Sequence, residues 1–304
     1  MQFMDAIQST AAASLNRSYV TGRRYRDRDG NGPWGRRGMK NLTQYAAEYL
    51  LIAAVTVTSI LGFWAIYFGT GADPQPHHHL HVATVFIWLG LLLFQLTMIG
   101  QRRFATHRKV GLVVLIIGPL LGATTAMLSV HSAHKGIVSG NGDFLIVQNV
   151  MVTLELGLLV VLAFVLKKHR KLHVSLLLST TILFLGIALF FALISFVPQF
   201  RIEGPETFDR FQTAGMTGQA ICLAVGFALF IKDVRNGWPF LLAGFFHTLN
   251  ELINASLTSV NLIEPLTEFV GSLSQPYTFA GTFIVLFSLL AATGLQVARR
   301  PSTT

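Results

Sequence analysis

The chain has 304 residues, of which only 12% are charged, and its mean hydropathy is +0.55. Soluble globular domains carry about 25% charged residues, so this composition excludes an ordinary soluble protein and indicates an integral membrane protein. The net charge is +9, and the single cysteine, Cys222, excludes an intrachain disulfide and a thiolate metal cluster.

The first 41 residues form a basic segment without an apolar run. They hold eight of the 23 Lys and Arg residues, and Gly and Asn interrupt them in DRDGNGPWGRRG. A secretory signal peptide needs an apolar core of about 7–15 residues, which this segment lacks. We interpret residues 1–41 as a cytoplasmic arm that lies on acidic lipid or docks on other subunits of a membrane complex. Residues 42–304 are then the transmembrane domain.

The rest of the chain alternates long apolar runs with short polar connections. A membrane-spanning helix needs about 20 apolar residues, and the connections are short enough to make sequential helices antiparallel neighbours. The sequence therefore predicts an all-α polytopic transmembrane helical bundle of about eight spans. The predicted spans are 47–69, 80–100, 110–131, 145–166, 173–198, 213–231, 238–262 and 276–297.

The basic residues of the loops predict the orientation. One set of loops and the C-terminal end carry 12 Lys and Arg residues, whereas the opposite loops carry Lys135, Arg201 and Arg210. Cytoplasmic loops are enriched in Lys and Arg, so both termini are expected to be cytoplasmic. This bias accounts for the high net charge, and nucleic acid is not needed as a partner to explain it.

Histidines gather at the outer ends of the second and third spans. These spans form a hairpin, and its histidines lie about 24 and 26 residues from the turn, hence at one level along the helices. We expect a metal site from His79 and His81 of span 2 with His131 and His134 of span 3. Such a set suits Zn or Cu, and two of its members can clamp a haem b iron. Alternatively, these imidazoles only cap helix ends at the interface. His77 and His78 are expected to precede the helix in a Pro-flanked loop, which makes them weaker ligands.

A second candidate site lies at the inner edge. His107 stands in THRKVGL and His173 in KHRKLHV, and each of these segments precedes an inside-to-outside span. The two histidines are candidates for a shared inner site, and the alternative is a pair of basic turns that anchor the hairpins. His107 and His131 are 24 residues apart, or roughly 36 Å along a helix, which argues against fast electron transfer between haems at the two edges.

Polar residues also occur in the middle of the predicted membrane. His247 and Glu251 are four residues apart on span 7, with Asn250 close to the same helix face. Glu155 on span 4 lies at a similar depth, which allows a contact between Glu155 and His247 if spans 4 and 7 touch. Ionisable groups in lipid usually mark a proton path or a polar cavity. The alternative is a neutral hydrogen-bonded contact between two helices.

Part of the pattern resembles an uncharacterised family of bacterial multi-pass membrane proteins. The resemblance covers about residues 79–190 and rests on His-x-His with Trp and Gln in one span, His-Arg-x-x-Gly at the next turn, and a later His at a helix start. It supports the choice of histidines and names no reaction, and we expect a protein of the bacterial inner membrane. The matching residues are His79, His81, Trp88, Gln95, His107, Arg108, Gly111 and His173.

Three functional hypotheses follow from the sequence. The first is a membrane protein with a histidine-ligated metal or haem site near the outer face and a role in redox chemistry or cofactor handling. The second is a transporter or proton-path protein that uses the midplane Glu and His residues. The third is a non-catalytic accessory subunit of a membrane complex, bound to its partners through the basic arm.

Overall fold

The computed structural model describes residues 44–140 and 142–298, and throughout these ranges the regular elements are helices. The arm predicted at residues 1–41 lies outside the described residues. Two short segments, π-helical Trp64–Phe68 and 3₁₀-helical Pro205–Thr207, interrupt the succession of α-helices. The α-helices are α1 (Ala46–Gly62), α2 (Pro76–Gly100), α3 (Phe104–Gly111), α4 (Val114–Ser139), α5 (Ile146–Val165), α6 (Arg170–Phe196), α7 (Asp209–Lys232), α8 (Trp238–Ser259), α9 (Ile263–Gly271) and α10 (Gln275–Ala298).

Six of the described helices, rather than about eight, are long and apolar enough to cross a membrane. They are α2, α4, α5, α6, α7 and the Gln275–Thr293 part of α10. Helix α1 has only 17 residues because it gives way to the π-helical segment after Gly62. Helix α8 has 22 residues, and polar side chains such as Asn250 and Glu251 interrupt its apolar run. These are the helices predicted as the first and seventh spans.

Helix α2 carries an aromatic side chain into the interior of the bundle. It packs mainly against α4 and also touches α6, and its Trp88 is fully buried between these two helices. The Trp88 indole Nε1 donates a hydrogen bond of 3.0 Å to the hydroxyl of Thr180 on α6. Burying an aromatic side chain together with its polar group fixes how the two helices are rotated against each other.

The first turn of α2 differs from the sequence prediction. The helix begins at Pro76, so His77 and His78 belong to the helix and not to a loop before it. Proline is favoured at the first helical position because the missing N–H has no helical acceptor there. Nδ1 of His78 accepts a hydrogen bond of 2.9 Å from the backbone N–H of Gln75, which satisfies one of the free donors at the helix start. We call this end of the bundle, where α2 begins and α4 ends, the histidine end.

Candidate metal centre

Three imidazoles converge at the histidine end. His77 and His78 come from the first turn of α2, and His131 comes from the last third of α4. One ring nitrogen from each lies within 4.8 Å of the other two. The ring centroids of His77 lie 4.2 Å from His78 and 4.1 Å from His131. We call these residues the His triad.

The triad has the donors of a metal site. All three side chains are half-buried, and Nε2 of His77 is buried without a hydrogen-bond partner, which is unusual for a polar atom. Three imidazole nitrogens bound to tetrahedral Zn at about 2.0–2.1 Å lie roughly 3.4 Å apart. The nitrogens of the triad lie within 4.8 Å of one another, so small movements of the rings bring them to this spacing.

The ring proton of His78 must move before this residue can bind a metal through Nε2. Because its Nδ1 accepts a hydrogen bond from Gln75, the neutral ring holds its proton on Nε2. Coordination through Nε2 therefore requires the proton to move to Nδ1, and the capping hydrogen bond is lost at a cost of about 1 kcal/mol. Metal binding by His77 and His131 does not require the loss of a capping hydrogen bond.

A lysine faces the triad as well. Lys135 follows His131 by one helical turn, and its charge acts on both His131 and His78. A positive charge at this position opposes the binding of a metal cation. The site therefore favours a metal that binds neutral imidazoles strongly, as Cu and Zn do, over hard cations that need carboxylate oxygens.

The other histidines expected in the outer site lie elsewhere. His79 is exposed and hydrogen-bonded through Nδ1 to the Tyr67 hydroxyl at 2.8 Å. His81 points into the bundle, where its Nδ1 is 3.2 Å from the Thr124 hydroxyl. His134 lines an open cavity of about 310 Å³ beside α9 and the start of α10. Of the four residues expected from the sequence, the triad contains His131.

The inner histidines hold helices together. With the Gln95 amide nitrogen turned toward α3, it donates to Nδ1 of His107, and the amide oxygen accepts a hydrogen bond of 3.0 Å from the Gly111 N–H. Nδ1 of His173 donates to the Ala163 carbonyl at 2.7 Å. Burial lowers the pKa of His107, and the nearby His173 and Arg108 lower it further. His107 and His173 are thus electrostatic neighbours, and the three-ligand cluster of the described residues lies at the other end.

The midplane residues divide into two groups. Nε2 of His247 donates a hydrogen bond of 3.1 Å to the Ile182 carbonyl, and the ring lies against Gly186 of α6. His247 therefore pairs with α6 rather than with Glu155, because the absence of a side chain at Gly186 leaves room for the ring. Helix α8 does pack against α5, and there Asn250 faces the Glu155 carboxyl.

No protein-family model, curated protein or solved structure that was compared with the chain matches it.

Proposed function

We propose that this integral membrane protein binds one transition-metal ion, Cu or Zn, at the His triad. The observation that carries the proposal is the convergence of three imidazoles from two antiparallel helices, one with an unpartnered buried nitrogen. Imidazole nitrogens are good ligands for both metals. Three protein ligands also leave a fourth position for water or an exchanging ligand.

The packing of the triad favours a single ion over haem. Two imidazoles that clamp a haem iron lie on opposite faces of the porphyrin. The triad rings touch one another, with centroids 4.1–5.3 Å apart, and a porphyrin does not fit between them in this packing. The partial exposure of the three rings suits an ion that is taken up and released, which favours metal handling over a permanent structural role.

We further propose that α1 and α8 also cross the membrane, which gives eight spans with both termini cytoplasmic. Helix α1 and the π-helical segment together extend from Ala46 to Phe68, and α8 is shielded by α5, α6 and α7. Two ion pairs, Lys171–Asp233 and Lys232–Glu48, lie at the end opposite the triad, where the loops are basic. We also propose that the protein lies in the bacterial inner membrane and that its basic arm docks on other subunits. The resemblance to an uncharacterised family of bacterial multi-pass membrane proteins is part of the same proposal.

Metal binding to the purified full-length chain tests the proposed function. The protein should carry no polyhistidine tag and should be dialysed in detergent or nanodiscs against buffered Zn²⁺ or Cu²⁺, with the bound metal counted per chain. We expect one ion in the wild type and an affinity at least about tenfold weaker in His131→Ala and in His77→Ala. The matched control is His134→Ala, which removes an imidazole one turn away on the same helix.

Two results would contradict the proposal. One is equal metal binding by the wild type and by a His77→Ala, His131→Ala double variant. The other is a loss in His134→Ala as large as the loss in His131→Ala, which would move the site toward the cavity beside α9. Thermal melting of each variant without metal separates a lost ligand from a lost fold.

A further inference from the structure

A buried acid in α5 has no hydrogen-bond partner. Glu155 is only 3% exposed, and no donor meets hydrogen-bond geometry at either of its carboxyl oxygens. The side chain of Asn250 on α8, which is 1% exposed, lies close enough to interact with this carboxyl. Its side-chain oxygen Oδ1 is also buried without a partner. Two buried side chains that interact with each other thus hold three oxygen atoms to which no donor is aligned.

Neighbouring hydrogen bonds fix which way the Asn250 amide points. Nε2 of Gln148 donates to a carboxylate oxygen of Glu251 at 3.0 Å, so Oε1 of Gln148 is left as an acceptor. Nδ2 of Asn250 donates to that oxygen at 3.1 Å. The Asn250 amide therefore turns its nitrogen toward Gln148 and leaves Oδ1 without a donor. A proton on Glu155 would supply the donor that both residues lack.

The charge balance around Glu155 agrees with a neutral acid. A buried carboxylate without a hydrogen bond or a cation costs several kcal/mol. Helices α4, α6, α8, α9 and α10 pack against α5. In the part of the chain that the structure describes, the group on these helices that interacts with Glu155 is Asn250, and no lysine, arginine, histidine or acid adds a charge to the interaction. The described ion pairs, Lys171–Asp233 and Lys232–Glu48, lie at the end of the bundle opposite the His triad and not beside Glu155.

We propose that Glu155 is a proton-binding site, occupied when its acid O–H donates to Oδ1 of Asn250. Gln148 and Glu251 mark its route to the histidine end. Gln148 precedes Glu155 by seven residues, or about 10 Å along the helix, and lies two residues from the start of α5. The exposed Glu251 beside Gln148 is the acceptor at the end of this route.

Release of the proton involves only proton transfers and no change of oxidation state. The O–H bond of Glu155 breaks as a water molecule takes the proton, a short chain of waters relays a proton along the route, and the Glu251 carboxylate forms the new O–H bond. The amides of Asn250 and Gln148 orient the acid and the water without carrying the proton themselves. Buried acids with such a route are typical of proton-coupled membrane proteins, so this inference does not depend on metal binding by the triad.

Infrared spectroscopy of the full chain in nanodiscs tests the site directly. At neutral pH we expect a C=O stretching band of a protonated carboxylic acid that shifts in D₂O. The band should disappear in Glu155→Gln and persist in the control Glu268→Gln, which changes an exposed acid of α9. In Asn250→Leu the acid loses its acceptor, so the band should remain at a changed frequency.

The outcomes separate the proposal from its alternatives. No acid band in the wild type, or an unchanged band in Glu155→Gln, would overturn proton binding at Glu155. Loss of the band on adding Na⁺ at constant pH would overturn it in favour of a sodium ion. For the route, Glu251→Gln should keep the band but slow its shift in D₂O about tenfold or more, and an unchanged rate would overturn the role of Glu251. If Glu155→Gln does not fold, the Asn250→Leu frequency change decides.

Discussion

Substituting Gly186 by alanine tests where the buried imidazole of His247 lies. A Cβ at this position would be 2.5 Å from Nε2 and 2.8 Å from Nδ1 of His247. Non-bonded carbon atoms favour separations of about 3.5–4.0 Å, so the ring would have to move by about 1 Å. That movement would break the hydrogen bond of 3.1 Å from Nε2 to the Ile182 carbonyl.

The expected loss of stability follows from these two effects. Overpacking of a buried site costs about 1–3 kcal/mol. Loss of the hydrogen bond adds about 0.5–1.5 kcal/mol. We therefore expect Gly186→Ala to lower the free energy of unfolding by about 2–4 kcal/mol. The control is Gly281→Ala on α10, where an added Cβ meets open space and alanine should stabilise the helix by about 0.5–1 kcal/mol.

Equilibrium unfolding in mixed micelles measures these changes, and a second substitution identifies the cause. His247→Ala removes the ring that the new Cβ meets, so Gly186→Ala should cost much less in the double variant, with a coupling of about 1–3 kcal/mol. Additive losses would refute the argument. A neutral Gly186→Ala would also refute it, because His247 would then point away from α6 and its contact with Glu155 would have to be reconsidered.

Three further predictions concern other parts of the bundle. The pKa of His107 lies below its usual 6.5 because burial disfavours the charged ring, so the unfolded chain binds protons more tightly. Its contribution to stability should be present above about pH 6.5 and fall as the pH drops through that value. Thermal melting against pH should therefore show a shallower acid limb in His107→Gln. Trp88→Phe should lower the free energy of unfolding by about 2 kcal/mol, because it removes the hydrogen bond to Thr180 and leaves a small cavity; unfolding in mixed micelles checks this. Lys135→Gln should tighten Zn²⁺ binding about fivefold by removing a positive charge beside His131, and equilibrium dialysis measures it.

The helical architecture could be predicted from the sequence because long apolar runs in lipid must form helices. The end of α1 could not be predicted in the same way. Residues 63–68 are apolar and continue the predicted first span, yet they form a π-helical segment with i→i+5 hydrogen bonds such as Gly69 N–H to the Trp64 carbonyl, 2.6 Å. This segment places the Tyr67 hydroxyl against His79. A tertiary contact of this kind leaves no periodic signal in the sequence.

The metal site shows which part of a helical site a sequence can predict. Distance along a helix follows from counting residues, so the common level of the α2 and α4 histidines could be predicted. Rotation about the helix axis depends on packing, and it decides that His77 and His78 face His131 whereas His79 faces Tyr67. The signal for the correct residues was Pro76, because a proline favoured at the first helical position brings the next two residues into the helix.

In helix α8 the residues that lower the hydropathy are also the residues that form polar contacts inside the bundle. Its polar residues keep it out of the six apolar spans, and the same residues form the buried contacts of the interior. His247 and Asn250 are buried against protein, where a polar side chain finds a partner that lipid cannot provide. Polar residues lower the hydropathy of a helix whether they face lipid or protein, but only the lipid-facing ones oppose membrane insertion of the folded bundle. Surrounded by α5, α6 and α7, α8 can therefore cross the membrane while holding Asn250 against the acid of Glu155.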